Sequence, residues 1–316
     1  MSDPAAVARQ GAAPSAVAWV FPGQGSQAVG MGKALYDLYP EVRTLYGIAD
    51  RVLGYSISEL CFNGPADQLQ RTDNAQPALL TTEIAHLTAL RLRYQGEYDA
   101  PAFVAGHSLG EYAALVAAGV LDFADALMLV AERGRLMNEA GASLDQPTGM
   151  VAVLGLAEGA AEQVSQEAGV DLANLNAPGQ VVLSGPQDGL ERATELAKAA
   201  GARRVVPLQV SAAFHSRWMR PMSEQFAHHL GEAPFSEPSV PVVANVTARP
   251  APDAHDIRRL LEMQTYSPVR WVESVQYMVD QGVSTFVEIG PGKVLSGLAK
   301  RIAPEANVVS SEELFG

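Results

Sequence analysis

Between residues 101 and 119 the chain reads PAFVAGHSLGEYAALVAAG. An apolar run short enough for a buried strand meets a G-x-S-x-G pentapeptide, which opens into strong helix formers that stop at Gly119. A strand passing straight into a helix must fold that helix back onto its own sheet, so this segment commits the chain to a layered α/β architecture. Gly106 and Gly110 suit the bend because backbone crowds backbone there and leaves no room for a Cβ. Ser108, at the start of the helix, would hold its hydroxyl where backbone N–H groups and the helix dipole stabilise an oxyanion. Such a pentapeptide also makes an ordinary strand-to-helix turn, but the flanking elements favour a nucleophile.

The remainder of the 316 residues fits the same class. Residues 1–15, rich in Ala, Gly, Pro and Ser, read as a loose tail. AVAWVF (16–21) is a buried-strand run halted by Pro22-Gly23, and apolar residues recur at helical spacing over 39–60 and 77–94. Asp122 is placed to cap a helix running to about Gly141. From 149 to 210 the order is βαββαβ, the split βαβ arrangement of ferredoxin-like units, expected as a small inserted domain over 141–210. A helix over 216–230, a strand VPVVANV (240–246), helices near 256–264 and 268–281, a strand STFVEIG (284–290) and a closing helix over 294–302 follow. Outside the insert, over 16–140 and 211–316, strands alternate with helices, which predicts a large domain with a mostly parallel sheet covered on both faces.

Charge and composition narrow the partners. Thirty-five acidic against 22 basic residues give a net charge of −13, which repels a polyanion, so nucleic acid is not expected. No apolar run is long enough for a membrane span and no signal-peptide pattern opens the chain, so a cytoplasmic protein without a membrane segment is expected. The single Cys61 rules out an internal disulfide and a cysteine-built metal cluster.

A nucleophilic serine needs a base, and the chain has six histidines. His86, His228 and His229 fall within helices and His255 in a polar loop. His107 adjoins Ser108 on a tight turn that points the two side chains apart, so it supports the bend. His215 stands just past a strand end, where reactive groups collect in sheets of this kind. Arg133 is the most informative charge. Its neighbours at i−4, i−3, i+3 and i+4 are Leu129, Val130, Leu136 and Met137, so its guanidinium faces the interior. Arg135, with Glu132 and Glu139 at contact spacing, belongs to the surface. A buried guanidinium keeps its charge and needs an anion, either an Asp or Glu from another segment or the carboxylate of a substrate beside Ser108.

Two glycine loops invite a phosphate-binding reading and fail it. FPGQGSQ (21–27) follows a strand, but the dinucleotide pattern requires a second strand where this chain reads as helix. Gly290-Pro291-Gly292-Lys293 lacks the earlier glycine and the following Ser or Thr of a P-loop.

Taken together, FPGQGSQ, QPALL (76–80), GHSLGEY (106–112), ERGRLM (132–137), NLNAPGQVVLSG (174–185), AAFHS (212–216), QTYSPVRW (264–271) and EIGPGKVL (288–295) resemble the malonyl-CoA:acyl carrier protein transacylases, the acyltransferase family of fatty acid and polyketide synthases. The likeness runs from about residue 17 to 302 with the blocks in the family's order. It implies a hydrolase-like α/β domain with a ferredoxin-like insert. Ser108 matches the nucleophile, and His215 the base, oriented by the main-chain carbonyl of Gln264 rather than by an acid. The backbone N–H groups of Gln24 and Leu109 match the oxyanion hole, and Arg133 matches the residue that holds the malonyl carboxylate. Gln76, Asn176 and Gln180 match polar positions lining the family's cleft, with His107 beside the substrate. Phe214 matches a position that is Phe in malonyl-selective polyketide acyltransferases and Ser in methylmalonyl-selective ones, since a phenyl ring crowds an α-methyl group.

The activity implied is transfer of malonyl from malonyl-CoA to the phosphopantetheine thiol of an acyl carrier protein. The route is ping-pong through an acyl-serine, in a monomer, with no metal or other cofactor. Competing readings are a discrete trans-acting polyketide acyltransferase moving another acyl group, an editing acyl hydrolase or esterase, and a non-catalytic binding module. Carrier proteins are acidic and so is this chain, so docking calls for a local basic surface, either Lys300 with Arg301 or Arg203 with Arg204.

Overall fold

The computed structural model describes residues 16–94, 101–144 and 146–315, and the tail expected over 1–15 lies outside them. The strands in chain order are β1 (Val17–Phe21), β2 (Phe103–Gly106), β3 (Thr148–Leu154), β4 (Asp171–Ala177) and β5 (Gln180–Pro186). They continue with β6 (Arg204–Pro207), β7 (Val242–Ala244), β8 (Arg249–Pro250), β9 (Thr285–Glu288) and β10 (Asn307–Ser310). Two sheets result, with orders β10-β9-β1-β2-β7-β8 and β4-β5-β3-β6. In the first, β10, β9, β1, β2 and β7 run parallel and the short β8 antiparallel. In the second every pairing is antiparallel, and the chain order of the unit is the βαββαβ read from the sequence.

Side chains alternate along the central strands. Trp19, Phe21, Val104, Val242 and Val287 enter one apolar core, while Ala18, Val20, Ala105, Val243 and Phe286 enter another on the opposite face. Burial on both faces is why these strands read as continuous apolar runs. Helices Thr72–Arg93, Gly110–Ala117 and Phe123–Ala142 cover the first face, and Trp271–Asp280 and Val294–Ile302 the second. The small sheet closes a third core around Val153, Leu183 and Leu190 with helices Glu158–Ala168 and Gln187–Ala199. Its other face sends Met150, Ala173 and Val182 into the first core. Main-chain bonds from Leu175 N–H to Val269 O and from Val269 N–H to Ala173 O, each 2.9 Å, lash β4 to the segment that follows Gln264.

Several elements differ from the sequence reading. Asp122 occupies the N-cap of Phe123–Ala142, yet its side chain makes no capping bond. The helical spacing over 39–60 breaks at Gly54, which adopts φ +74° between Pro40–Leu53 and Ile57–Asn63. The helix expected from residue 77 begins at Thr72, with Pro77 inside it near the N-terminal end, where few carbonyls lose a donor. The helix expected over 216–230 is a 3₁₀ turn, Arg217–Met219, followed by Arg220–Glu232. VPVVANV forms a strand only over Val242–Ala244, because Asn245 leaves the sheet to bond elsewhere. The chain does not close at 302. β10 adds an edge strand and helix Ser311–Phe315 follows it, elements too short to show a period in the sequence.

The bend after β2 is the tightest approach in the fold. A Cβ on Gly106 would stand 1.9 Å from the carbonyl carbon of Gly110, and one on Gly110 would stand 2.1 Å from Phe21 O. Backbone cannot retreat without pulling β1 from β2. Gly110→Ala is therefore expected to cost about 3 kcal/mol or more, read as a lower urea midpoint at unchanged slope. A midpoint equal to the parent's would show that the bend tolerates a side chain.

Candidate active site

β1, β2 and β7 run parallel, so the loops after Phe21, Gly106 and Ala244 meet at one edge of the sheet. Ser108 sits there with φ +52° and His215 with φ +57°. Among the described residues only Ala248 shares that left-handed backbone without being glycine, and each such residue costs about 1–3 kcal/mol. The strain at Ser108 is held from both sides. Asn245 Oδ1 accepts the Ser108 N–H at 2.7 Å while its Nδ2 donates to Gly106 O at 2.6 Å. Gln264 Nε2 donates to Ser108 O at 2.9 Å.

Ser108 Oγ stands 2.7 Å from His215 Nε2, and His215 Nδ1 lies 2.8 Å from the main-chain carbonyl of Gln264. A carbonyl only accepts, so Nδ1 carries the proton and Nε2 is left to take the serine's. Burial first, then the Arg133 cation, push His215 down to about 3, outweighing the hydrogen bonds it donates to the main chain. The imidazole is therefore neutral and ready as a base.

Arg133 is 1% exposed. Its Nη1 donates to Gln76 Oε1 at 2.7 Å, and its Nη2 to Gln264 Oε1 at 3.0 Å and to Ser108 Oγ at 3.2 Å. Its Nε has no partner, and no Asp or Glu among the described residues pairs with it. The structural carboxylate left open by the sequence is not there, because two neutral amides take its place. Arg135, in contrast, pairs with Glu132 and Glu139 at the surface.

A cleft of about 310 Å³ opens over this group, lined by Gln24, Ser108, Leu109, Arg133, Phe214 and His215, with Met137, Met150, Asn174 and Leu208 among its other walls. The N–H groups of Gln24 and Leu109 donate to no protein acceptor among the described residues. Three expected cleft residues are placed differently. Gln76 is fully buried and faces Arg133 rather than the cleft, since the guanidinium needs an acceptor behind it. Asn176 and Gln180 line a smaller adjoining cleft of about 170 Å³, together with Gln24 and His107. His107 Nε2 lies 2.8 Å from Asn176 Oδ1, so it points away from Ser108 and ties the bend to the small sheet.

Of the basic candidates, Arg301 reaches Gln180 Oε1 at 2.5 Å and Pro178 O at 2.7 Å, so its guanidinium joins the two units. Lys300 is exposed on the same helix. Arg203 and Arg204 are exposed beside the edge strand β6, away from the cleft wall. The sequence reading missed Asn245, Asn174 and Glu111. Asn245 lay hidden in an apparent strand. Glu111 looked like an ordinary first-turn acid, although it is 3% exposed and burial pushes it up to about 7 against the Gln264 and Asn245 hydrogen bonds.

Residues 18–316 match the acyl transferase domain family. A malonyl CoA-acyl carrier protein transacylase of Bacillus subtilis (strain 168) is 48% identical over 296 residues, covering 91% of this chain and 90% of that protein. The chain belongs to the malonyl CoA-acyl carrier protein transacylase family. Its fold agrees with solved members. An acyl carrier protein S-malonyltransferase from Vibrio cholerae O1 biovar eltor superposes with a TM-score of 0.89 at 43% identity, covering 94% of this chain and 96% of that one. A malonyl-transacylase in complex with its type II PKS acyl-carrier protein superposes with a TM-score of 0.89 at 42% identity, covering 94% and 96%.

A base held this low predicts loading that persists into acid. Burial comes first, and the Arg133 cation and the neighbouring His107 imidazole add to it in keeping His215 neutral. Modification of Ser108 by a neutral fluorophosphonate should stay within about twofold from pH 8 to 5.5. A histidine at the ordinary value near 6.5 would be only ~10% neutral at that lower limit, and the rate would fall about tenfold. A tenfold fall centred near pH 6.5 would contradict the depressed base.

Proposed function

We propose that the chain transfers a malonyl group from malonyl-CoA to the phosphopantetheine thiol of an acyl carrier protein through a malonyl ester on Ser108. Arg133 carries this reading: a buried cation that no carboxylate among the described residues pairs directly, with an unpartnered Nε, stands 3.2 Å from the nucleophile. Sealing such a charge costs several kcal/mol, and a diacid thioester brings its free carboxylate to that place. A neutral ester gives Arg133 nothing to bind, which disfavours a general esterase. The printed names of the Bacillus relative and of the carrier-protein complex support the same donor and acceptor.

His215 Nε2 takes the Ser108 proton as Oγ attacks the thioester carbonyl. The oxyanion meets the N–H groups of Gln24 and Leu109, and the Gln264 carbonyl steadies the imidazolium. The C–S bond breaks, and the proton passes from His215 to the departing thiolate. In the second half the carrier's thiol gives its proton to His215 and attacks the ester, and Ser108 leaves with that proton. Arg133 holds the malonyl carboxylate throughout. Phe214, buried against the cleft, crowds a branched acyl group and favours malonyl.

The large unit, 16–140 and 211–316, supplies the reacting groups, while the insert over 141–210 roofs them with Met150, Asn174 and Leu208. One chain supplies every group, so the enzyme works as a monomer, in the cytoplasm where coenzyme A thioesters are available. No helix among the described residues is long and apolar enough to cross a membrane. Lys300 is the exposed basic group for an acidic carrier, beside the Arg301 bridge.

Ser108→Ala is expected to form no malonyl adduct by intact mass after incubation with malonyl-CoA, and a full adduct would refute the assignment. Arg133→Ala should lower kcat/KM for malonyl loading by about a hundredfold or more, and acetyl loading far less. Equal losses for both donors would make Arg133 structural.

A further inference from the structure

One carboxylate oxygen ties together the groups that hold the nucleophile, the base and the cation. Glu111, in the first turn of helix Gly110–Ala117, accepts on Oε2 from Gln264 Nε2 at 2.7 Å and from the main-chain N–H of Asn245 at 3.1 Å. Gln264 stands between Glu111 and Arg133, its Nε2 toward the carboxylate and its Oε1 accepting from Arg133 Nη2 at 3.0 Å. An amide turned over would set its NH₂ group against the guanidinium and its oxygen against both the carboxylate and Ser108 O, so Glu111, together with that carbonyl, admits a single orientation. That orientation supplies the second of two amide acceptors on which the guanidinium rests, the first being Gln76 on Nη1. Released from one anchor, Arg133 would swing on the other. Asn245, held by the same oxygen, in turn receives the Ser108 N–H.

We propose that Glu111 is a positioning residue for acyl-donor selectivity: acting through the side-chain amide of Gln264, it aims Arg133 at the carboxylate of a dicarboxylic acyl donor. This rests on the reading of Arg133 given under the proposed function. What Glu111 must provide is an acceptor oxygen at one place, which an amide also has. Its removal should injure an acidic donor more than a neutral one, because His215 leans on the main-chain carbonyl of Gln264 and not on its amide.

The test compares kcat/KM for Ser108 loading by malonyl-CoA and by acetyl-CoA in the full chain. Glu111→Ala should lower the malonyl-to-acetyl ratio at least about tenfold, chiefly through the malonyl KM. Glu111→Gln should recover most of that ratio. Equal losses for the two donors in Glu111→Ala, or a ratio in Glu111→Gln as low as in Glu111→Ala, overturn the proposal. Should Glu111→Ala fail to fold, Glu111→Asp withdraws the oxygen from Gln264 with little lost packing. A lowered ratio in that variant supports the proposal and an unchanged one overturns it. Arg133→Ala separates the two levels. An unchanged ratio there defeats the carboxylate reading of Arg133 and the proposal with it, whereas a fall there but not in the Glu111 variants defeats only the proposal.

Discussion

A serine with a left-handed backbone persists at the end of a strand only if the surrounding chain holds both of its peptide groups. Here the Asn245 side chain takes the N–H and the Gln264 side chain takes the C=O, and each comes from a segment far along the chain. The bend itself exists because Gly106 and Gly110 let the helix backbone touch the ends of β1 and β2. Helix, strands and the segment before Trp271 are thus locked to one residue. What is gained is an Oγ that projects past the sheet edge with its base already at 2.7 Å.

The same burial acts on the two nitrogen bases in opposite functional directions. Desolvation drives the His215 imidazole to its neutral form, the form a base needs. It lowers the Arg133 guanidinium as well, yet that group starts so high that it stays charged. A neutral base and a permanent cation therefore coexist, both buried, at one site. Neutral amides around Arg133 accept from Nη1 and Nη2 without cancelling its charge and leave Nε open, so the field stays available to an incoming anion.

Much of this was legible along the chain. The strand, pentapeptide and helix of 101–119 named Ser108 and the fold class, because a short apolar run on one side and a stretch of helix formers on the other are local properties. The apolar neighbours of Arg133 placed it inside the protein, since helical spacing fixes which side chains share a face. The βαββαβ rhythm of the insert was equally visible. Asn245 was not, because an asparagine ending an apolar run looks like a strand residue until the strand is seen to stop at Ala244. Gln76 was read as a cleft residue for a similar reason: its family position was visible, but the side on which it bonds Arg133 was not.

Local order, then, belonged to the sequence: which segments are strand or helix, which serine sits on a bend, and which arginine turns inward. These follow from neighbours within a few residues, where backbone sterics and hydrophobic periodicity decide. Only the folded chain decided what those groups meet. Whether Arg133 finds an acid or an amide depends on segments 57 and 131 residues away, and a sequence pattern carries no information about such encounters until packing brings them together. That amides rather than a directly paired acid meet the buried cation, among the described residues, is a property of three-dimensional packing.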